Sequence, residues 1–216
     1  MIVLLGAEKG GTGKTTLAVN LAVMRARAGS EVLLLDADPQ RSTSYWAATR
    51  DSRGAEPAIP CLQKTGDLRT AVKSLATKFA DLVIDTGGRD SEELRSALLV
   101  ADTLVLPAKP SQFDLWSLSK MAMLVEEAKR LNLHLRALAV INMASTNPSV
   151  TEGEEAFEYL AELPALARAA TMLRDRIAYR RTVREGRAVV EAKPGDAKAE
   201  AEINGLYQEV FHGRIE

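Results

Sequence analysis

The stretch EKGGTGKTT, residues 8–16, follows a short apolar run, MIVLLGA, and precedes a segment with the apolar period of a helix, LAVNLAVMRARAG. Closely spaced glycines let backbone N–H groups approach an anion, and the first turn of a following helix carries a positive partial charge. A strand, a glycine-rich loop and a helix in this order predict a phosphate-binding loop. The loop contains two lysines, Lys9 and Lys14, although one lysine is enough to hold the phosphates of a nucleotide.

Short apolar runs rich in β-branched residues alternate with longer segments of helical period along the rest of the chain. The predicted strands are apolar throughout instead of at every second residue, which is typical of a parallel sheet covered by helices on both faces. We therefore predict a doubly wound, mostly parallel α/β fold. A single domain, 1–216, is expected because no repeat, low-complexity tract or Pro/Ser-rich linker divides the chain.

The overall charge gives no general attraction to nucleic acid, because 28 basic residues stand against 29 acidic ones. A nucleic-acid partner would therefore need a local basic patch. The single cysteine, Cys61, excludes an intrachain disulfide and a multi-cysteine zinc or iron–sulfur site within one protomer. Without a basic leader or an apolar run of about 18 residues, the chain is expected to stay in the cytoplasm and to make no membrane contact.

The glycine-rich loop supplies the expected nucleotide contacts. Lys14 is predicted to reach the β- and γ-phosphates, and the Thr15 hydroxyl to bind Mg²⁺. The usual spacing G-x-x-x-x-G-K-[ST] is not met, because Glu8 stands at its first position. The predicted nucleotide-binding residues of the loop are Gly10, Gly11, Thr12, Gly13, Lys14, Thr15 and Thr16.

The motif K-G-G-x-G-K-T at 9–15 resembles the deviant Walker A loop of the ParA/MinD family of ATPases, and DADPQ at 36–40 resembles that family's second acidic motif. The resemblance extends from Ile2 through the last predicted helix and is nearest to short ParA-type partition proteins. It implies a P-loop NTPase fold and Mg²⁺-dependent ATP hydrolysis that is weak without a partner. By this resemblance, Lys9 reaches across a dimer interface to the nucleotide of the other subunit, so that ATP controls dimerisation.

Two carboxylates end apolar strands beside the expected phosphate loop: Asp36 closes LLLD and Asp85 closes LVID. Such groups can hold Mg²⁺ through its bound waters, so we predict a metal site of Thr15, Asp36 and Asp85. The resemblance makes Asp85 the Walker B aspartate and Asp38 the group that orients the attacking water. Lys9, Lys14 and Asp38 are thus the predicted catalytic residues. For any one of these aspartates, a turn or a helix cap is the alternative.

Three later segments also resemble family motifs. TGGRD at 86–90 stands at the position of a γ-phosphate-sensing switch, with Gly87 and Gly88 where many members have prolines, and PAKPSQFDLW at 107–116 resembles a P-x-x-P-S-x-x-D segment near the dimer face. The glycines suggest a more mobile switch loop. Asn142, at the end of LRALAVIN, occupies the place of an adenine-contacting asparagine, although asparagine is also a common turn residue.

Six arginines lie between residues 174 and 187. A helix over 175–185 would align Arg176, Arg180 and Arg184 in one stripe, and guanidinium groups can grip phosphates bidentately. No base-reading motif precedes the phosphate loop, so DNA binding would be largely independent of sequence. A solvated charged face is the alternative. The resemblance adds that ParA-type ATP dimers bind DNA through basic residues of this region, and the predicted DNA-binding residues are Arg176, Arg180, Arg181, Arg184 and Arg187.

The predicted function is an ATP-hydrolysing switch. Its ATP-bound homodimer binds non-specific DNA of the nucleoid, and a ParB-like or other small DNA-binding adaptor stimulates hydrolysis, so that a plasmid, a chromosome or another cargo is distributed. Conjugative DNA transfer, chemoreceptor clusters and protein microcompartments remain open as alternative cargoes. A biosynthetic ligase and a tyrosine kinase also use such loops, but the four tyrosines are scattered and no ligase pocket is readable.

Two further alternatives conflict with the composition. A MinD-like division regulator would need a basic amphipathic helix to hold it on a membrane, whereas in the C-terminal segment EINGLYQEVFHGRIE, residues 202–216, acidic residues outnumber basic ones. An electron-transfer ATPase or iron–sulfur carrier would need more cysteine ligands than Cys61 alone supplies, even in a dimer.

Overall fold

The computed structural model describes residues 1–213, and residues 214–216, which end the predicted domain and the C-terminal segment, lie outside the described residues. Seven strands form one sheet in the order β3-β2-β4-β1-β5-β6-β7, and all neighbouring strands pair in parallel. The strands are Ile2–Ala7 (β1), Val32–Ala37 (β2), Cys61–Gln63 (β3), Asp81–Gly88 (β4), Thr103–Ala108 (β5), Arg136–Ile141 (β6) and Ala167–Arg168 (β7). The predicted parallel α/β architecture is confirmed.

Helices cover both faces of the sheet and bury two separate apolar cores. The central strand β1 shows why its sequence is apolar throughout: Leu4 packs into one core, while Val3 and Leu5 pack into the other. One face carries α3 (Arg69–Leu75), α4 (Glu92–Leu98), α5 (Gln112–Lys129) and α6 (Glu152–Tyr159). The other carries α1 (Lys14–Arg27), α2 (Ser42–Ser52), α7 (Ile177–Arg184) and α8 (Ala197–His212).

The order of the strands determines where a ligand can bind. After β1 the chain winds to one side through β2, β3 and β4, and then crosses to the other side through β5, β6 and β7. Strand β1 therefore lies between β4 and β5, at the point where the winding reverses. Ligands of open parallel sheets bind beside the carboxyl ends of the strands at such a point, and there the chain places its glycine-rich loop.

Two features of the sequence prediction change in the structure. Strand β4 continues through Gly87 and Gly88, so these glycines end a strand instead of forming a loop. Helix α7 begins at Ile177, which leaves Arg176 at its N-cap. Within residues 1–213, each helix is too short or too polar to cross a bilayer.

Arg50 ties α2 to the segment that follows α7. The side chain is fully buried, and its guanidinium donates to both carboxylate oxygens of Glu191 at 2.8 and 2.9 Å. It also donates to the carbonyl oxygens of Pro57 and Gly186 at 2.9 to 3.0 Å. This network fixes the backbone on which the basic residues after α7 are mounted.

We expect Arg50→Ala to lower the free energy of unfolding by about 3–5 kcal/mol, because removal of one partner leaves a buried charge uncompensated. Urea unfolding measures this decrease. Arg95→Ala is the matched control: its ion pair with Asp90 is about half exposed, so solvent screens it and the decrease should be far smaller. Equal decreases in the two variants would contradict the structural role of Arg50.

Candidate nucleotide-binding site

A cavity of about 990 Å³ opens at the carboxyl ends of β1, β2 and β4. The phosphate-loop glycines form part of its wall, together with the loop after β2 and the end of β4. Met143, after β6, and Val183, in α7, also line it. Of the predicted site residues, those lining this cavity are Gly10, Gly11, Gly13, Lys14, Thr15, Thr16, Asp38, Gly87 and Gly88.

The loop leaves the first turn of α1 open to an anion. Helix α1 begins at Lys14, and its N-cap, Gly13, has a φ of 97° with no side-chain cap. The first backbone N–H groups of a helix have no partner within the helix, so they are available to a phosphate. A side chain at Gly13 would also collide with Asn142, because an added Cβ would lie 2.3 Å from the amide nitrogen. Glycine is therefore required there by both conformation and space.

The two lysines of the loop face different surroundings. Lys14 lines the cavity and is buried, with its Nζ donating to the carbonyl oxygen of Lys9 at 3.2 Å. Burial lowers the pKa of Lys14, although the carboxylates of Asp85 and Asp38 oppose this shift. The Lys9 side chain instead turns to the start of α5, where its Nζ lies 3.9 Å from the Asp114 carboxylate and 5.3 Å from the centre of the Phe113 ring.

The buried Asp85 has the environment expected of a carboxylate that holds a metal through water. Its Oδ2 accepts hydrogen bonds from the hydroxyls of Thr15 and Thr43, both at 2.6 Å. Its Oδ1 is buried and has no hydrogen-bond partner among residues 1–213, and buried polar atoms without partners are rare. Burial raises the pKa of Asp85 to about 6. A water bound to Mg²⁺ would satisfy the free oxygen, so these residues fit the metal.

The residues present also indicate how Mg²⁺ would be held. Over residues 1–213, no three carboxylate, imidazole or thiol side chains converge as a metal-binding group. Mg²⁺ keeps several of its waters and takes further ligands from the phosphates of a nucleotide. When bound, the metal neutralises negative charge on the β- and γ-phosphates. Thr43 gives no signal in the sequence, because its position beside Asp85 depends on the packing of α2.

Both carboxylate oxygens of Asp36 accept hydrogen bonds from residues close to it in the sequence. Its Oδ2 accepts from the backbone N–H and the hydroxyl of Ser44 at 2.7 and 2.6 Å, and its Oδ1 accepts from the N–H of Asp38 at 3.2 Å. The two bonds from Ser44 hold the first turn of α2, which follows Arg41 in a left-handed conformation with a φ of 58°, and the bond from Asp38 holds the loop before it. The helix-cap alternative thus describes what Asp36 does here, and its contact with a metal stays a prediction.

Asp38 faces the cavity opposite the end of β4. Its Oδ1 accepts from the N–H of Gln40 at 2.9 Å, and an added Cβ on Gly87 would lie 3.5 Å from the same oxygen. Gly88 is more tightly confined, since its added Cβ would lie 2.5 Å from the backbone nitrogen of Gly10. The glycines at this position therefore allow β4 to pack directly against the phosphate loop.

Asn142 supports the phosphate loop from below. Its side-chain amide donates to the carbonyl oxygen of Thr12 at 2.7 Å, and the residue is buried. Contact with an adenine base stays a prediction for this residue. The next residue, Met143, has a φ of 58°, and strained backbone of this kind clusters at functional sites. The sequence gives no signal for Met143 or for Val183, since their place in the cavity wall depends on tertiary packing.

The predicted arginines divide into two groups. Arg176 is ion-paired with Glu202 at 2.5 Å, and Arg180 with Asp175 at 2.5 Å. The other three predicted arginines are Arg181 and Arg184, which are exposed, and Arg187, which is half-buried. Within residues 1–213, they make no ion pair with a carboxylate. The uniform stripe expected from helical spacing is therefore wrong, because Arg176 precedes the helix and neighbouring acids hold Arg176 and Arg180.

A phosphate loop after the central strand and a buried aspartate on the adjacent strand define a P-loop nucleotide-binding protein. Residues 3–189 match the family described as the CobQ/CobB/MinD/ParA nucleotide binding domain, and the chain belongs to this family. It is an ATPase of the ParA/MinD type that uses ATP and Mg²⁺. The family, the enzyme class and the two cofactors expected from the sequence are thereby confirmed.

Two curated relatives and one solved structure illustrate the similarity. The chain is 34% identical over 208 residues to Maintenance of carboxysome distribution protein A of Gloeobacter kilaueensis, covering 94% of this chain and 90% of that protein. It is 29% identical over 167 residues to Chromosome-partitioning ATPase Soj of Thermus thermophilus, covering 64% and 67% of the two chains. The structure of apo McdA from Cyanthece has the same fold, with a TM-score of 0.79, 17% identity and coverage of 97% and 98%.

Proposed function

We propose that the chain is an ATP-driven switch that dimerises around ATP, binds DNA without sequence preference and positions a large cargo along it. The observation that carries this proposal is the separation of the two lysines, with Lys14 in the cavity and Lys9 outside it. A lysine directed away from its own nucleotide is available to the nucleotide of a second subunit. ATP then favours the dimer because it makes an interaction there that the monomer lacks.

The surface around Lys9 supports this dimer. Phe113 and Trp116 at the start of α5 are 68% and 55% exposed, and their rings meet edge to face with centres 5.6 Å apart. Exposed aromatic clusters commonly mark protein interfaces. We assign this patch to the partner subunit because Lys9 lies directly against it. Light scattering with Mg²⁺–ATP, Mg²⁺–ADP or no nucleotide tests the assignment: a dimer is expected with ATP alone, and a monomer in all three states would contradict it.

Helix α7 supports a link between ATP and DNA. Val183 lines the nucleotide cavity, while Arg181 and Arg184 of the same helix are exposed and have no carboxylate partner within residues 1–213. A nucleotide that contacts Val183 would act on the element that carries these cations. Dimerisation would also present two such helices to one duplex. Both effects favour DNA binding in the ATP-bound state.

The cargo is proposed from the relatives. One relative is named for carboxysome distribution and another for chromosome partitioning, so the cargo is either a protein microcompartment or a DNA molecule. An adaptor that binds both the cargo and the ATP dimer would stimulate hydrolysis and release the dimer from nucleoid DNA. Imaging of cells without this chain distinguishes the cargoes, because either shell particles or a low-copy DNA molecule would lose even spacing. Normal spacing of both would contradict the positioning role.

Asp38→Ala is expected to keep ATP binding and dimerisation. It should lower the rate of hydrolysis by about 10²- to 10⁴-fold, the usual effect of removing a side chain that acts on the proton of the attacking water. Asp38 suits this role because it lines the cavity opposite Gly87. Single-turnover hydrolysis and ATP titration measure the two steps separately. Asp51→Ala, an exposed carboxylate in α2, is the control. Failure of Asp38→Ala to bind Mg²⁺–ATP would instead make Asp38 a metal-binding or structural group.

Replacement of Arg181 and Arg184 together by alanine is expected to weaken DNA binding equally for unrelated sequences. The slope of log K against log salt should flatten by about 0.9 for each phosphate that the variant no longer neutralises. The control is Lys73→Ala with Lys78→Ala, two exposed lysines of which the first lies in α3, on the opposite face of the sheet, and the second lies just after that helix. An unchanged salt slope in the α7 variant would show that these arginines face only solvent.

A further inference from the structure

We propose that the DNA-binding surface continues beyond α7 into a basic cleft lined by Arg27, Arg187 and Lys193. The cleft has a volume of about 410 Å³ and lies between the end of α1, the loop after α2 and the segment that follows α7. This inference rests on the proposed DNA binding and identifies a second part of the surface that would hold it. The partner chemistry is the phosphodiester backbone of duplex DNA.

The positive charges of the three cleft cations are not neutralised by ion pairs within the described residues. Within residues 1–213, Arg27, Arg187 and Lys193 make no ion pair with a carboxylate. Arg27 is oriented by one hydrogen bond, from its Nη1 to the carbonyl oxygen of Val190 at 2.9 Å. A guanidinium has five N–H donors in a planar fork, so Arg27 retains donors for a phosphate.

The acidic residues of the cleft are Glu56 and Glu191, and neither cancels this charge. Burial raises the pKa of Glu191, but the hydrogen bonds from Arg50 and the N–H of Ala188 outweigh this effect and lower the pKa, with a smaller contribution from the charge of Arg27. The Glu191 carboxylate is held at 2.8 Å by Arg50, a cation outside the cleft. Glu56 uses one oxygen to accept the N–H of Ala58 at 2.9 Å. Three cations therefore stand against one carboxylate that lacks a cationic partner, and the cleft favours an anion.

The cleft is continuous with the arginines of α7. Lys193 also lines a neighbouring cavity of about 510 Å³, whose wall includes Arg181. The two cavities share Ala192 and Lys193, so cations line a continuous path from α7 through Lys193 to Arg187 and Arg27. The neighbouring cavity also contains two carboxylates, Glu185 and Asp196, and Asp196 accepts the backbone N–H groups of Lys198 and Ala199 at the start of α8. An extended row of cations suits the regularly spaced charges of a DNA strand better than it suits a single small anion.

The backbone that carries Arg187 is fixed before any ligand binds. Gly186, with a φ of 66°, packs against α2 so closely that an added Cβ would lie 2.5 Å from the nitrogen of Arg50. The carbonyl oxygen of Arg187 accepts from the indole N–H of Trp46 at 3.4 Å, and the N–H of Val189 donates to Asn20 at 2.8 Å. A preorganised surface loses less conformational entropy when it binds a partner.

The test measures DNA affinity over a range of salt concentrations for a variant with Arg187→Gln and Lys193→Gln, in the presence of Mg²⁺–ATP. We expect the salt slope to fall by about 1.8, from about 0.9 for each of two phosphates that are no longer neutralised. The matched control is the variant with Lys73→Ala and Lys78→Ala, which should keep the slope of the unmodified chain. A slope equal to that of the control would overturn the inference.

The outcome is distinguishable from a failure of the proposed function. If the unmodified chain binds no DNA in any nucleotide state, the proposed function fails with the inference. If the α7 variant loses affinity while the cleft variant does not, only the inference fails. Should the glutamine variant not fold, protection of Lys193 from acetylation is measured on the unmodified chain, with Lys73 as the unprotected reference. Protection by a random duplex is expected, and equal protection by inorganic phosphate alone would overturn the assignment to DNA.

Discussion

Lys14→Ala is expected to lower the affinity for Mg²⁺–ATP by roughly 30-fold to several thousandfold. The ammonium group is buried in the wall of the nucleotide cavity, and truncation of one partner of a buried charge pair costs about 2–5 kcal/mol. The phosphates would be without this partner while Asp85 and Asp38, whose charges act on Lys14, would still repel them. Calorimetric titration with Mg²⁺–ATP measures the change.

Two further variants make the Lys14 result specific. Lys14→Met keeps most of the side-chain volume without the charge, so it separates the effect of the missing ammonium group from an effect on packing. Lys120→Ala removes an exposed lysine that pairs with Glu8 at 2.8 Å outside the cavity, and it should leave ATP affinity unchanged. Full ATP affinity in Lys14→Met would show that the loop does not hold the phosphates.

Lys9→Ala is expected to bind ATP normally, to remain monomeric and to hydrolyse ATP about 10³- to 10⁵-fold more slowly, the range known for a cation supplied to phosphoryl transfer by a partner. Its interactions within the subunit are weak, because the side chain is 39% exposed and lies 3.9 Å from the Asp114 carboxylate. The variant should therefore fold as the unmodified chain does. Sedimentation velocity measures the failure to dimerise, and steady-state hydrolysis measures the lower rate.

A mixing experiment tests whether Lys9 acts across the dimer. In a mixed dimer of Lys9→Ala and Asp38→Ala subunits, the nucleotide of the Lys9→Ala subunit would meet its own Asp38 and the intact Lys9 of the partner. One of the two sites would then be complete, and hydrolysis should recover on mixing. Hydrolysis that stays at the level of the separate variants would indicate that Lys9 acts within its own subunit or acts only on folding.

Much of the fold and the phosphate loop could be predicted from local sequence. A strand buried on both faces must be apolar at every position, as Val3, Leu4 and Leu5 are, and a loop that approaches an anion needs glycine at positions such as Gly13. These constraints act on residues that are close together in the sequence, so the local sequence pattern is enough to predict them.

Features that depend on contacts between distant elements could not be predicted in this way. Arg176 fits a helical stripe by spacing, but its pairing with Glu202 depends on how α8 packs beside α7. In the sequence, Val183 has no feature that distinguishes it from other apolar residues of a helix. It lines the nucleotide cavity because α7 packs against the carboxyl edge of the sheet. Likewise, Gly88 suggests a mobile loop in the sequence but is required by its close approach to the backbone of Gly10.

The proposal that ATP controls DNA binding is tested most directly with purified protein and a random-sequence duplex at one fixed salt concentration. Binding is measured with Mg²⁺–ATP, with Mg²⁺–ADP and without nucleotide. We predict binding with Mg²⁺–ATP alone, because that state assembles the dimer and presents two copies of α7. Equal binding in all three states would contradict control by ATP, and no DNA binding while ATP still drives dimerisation would contradict DNA as the surface on which the switch operates.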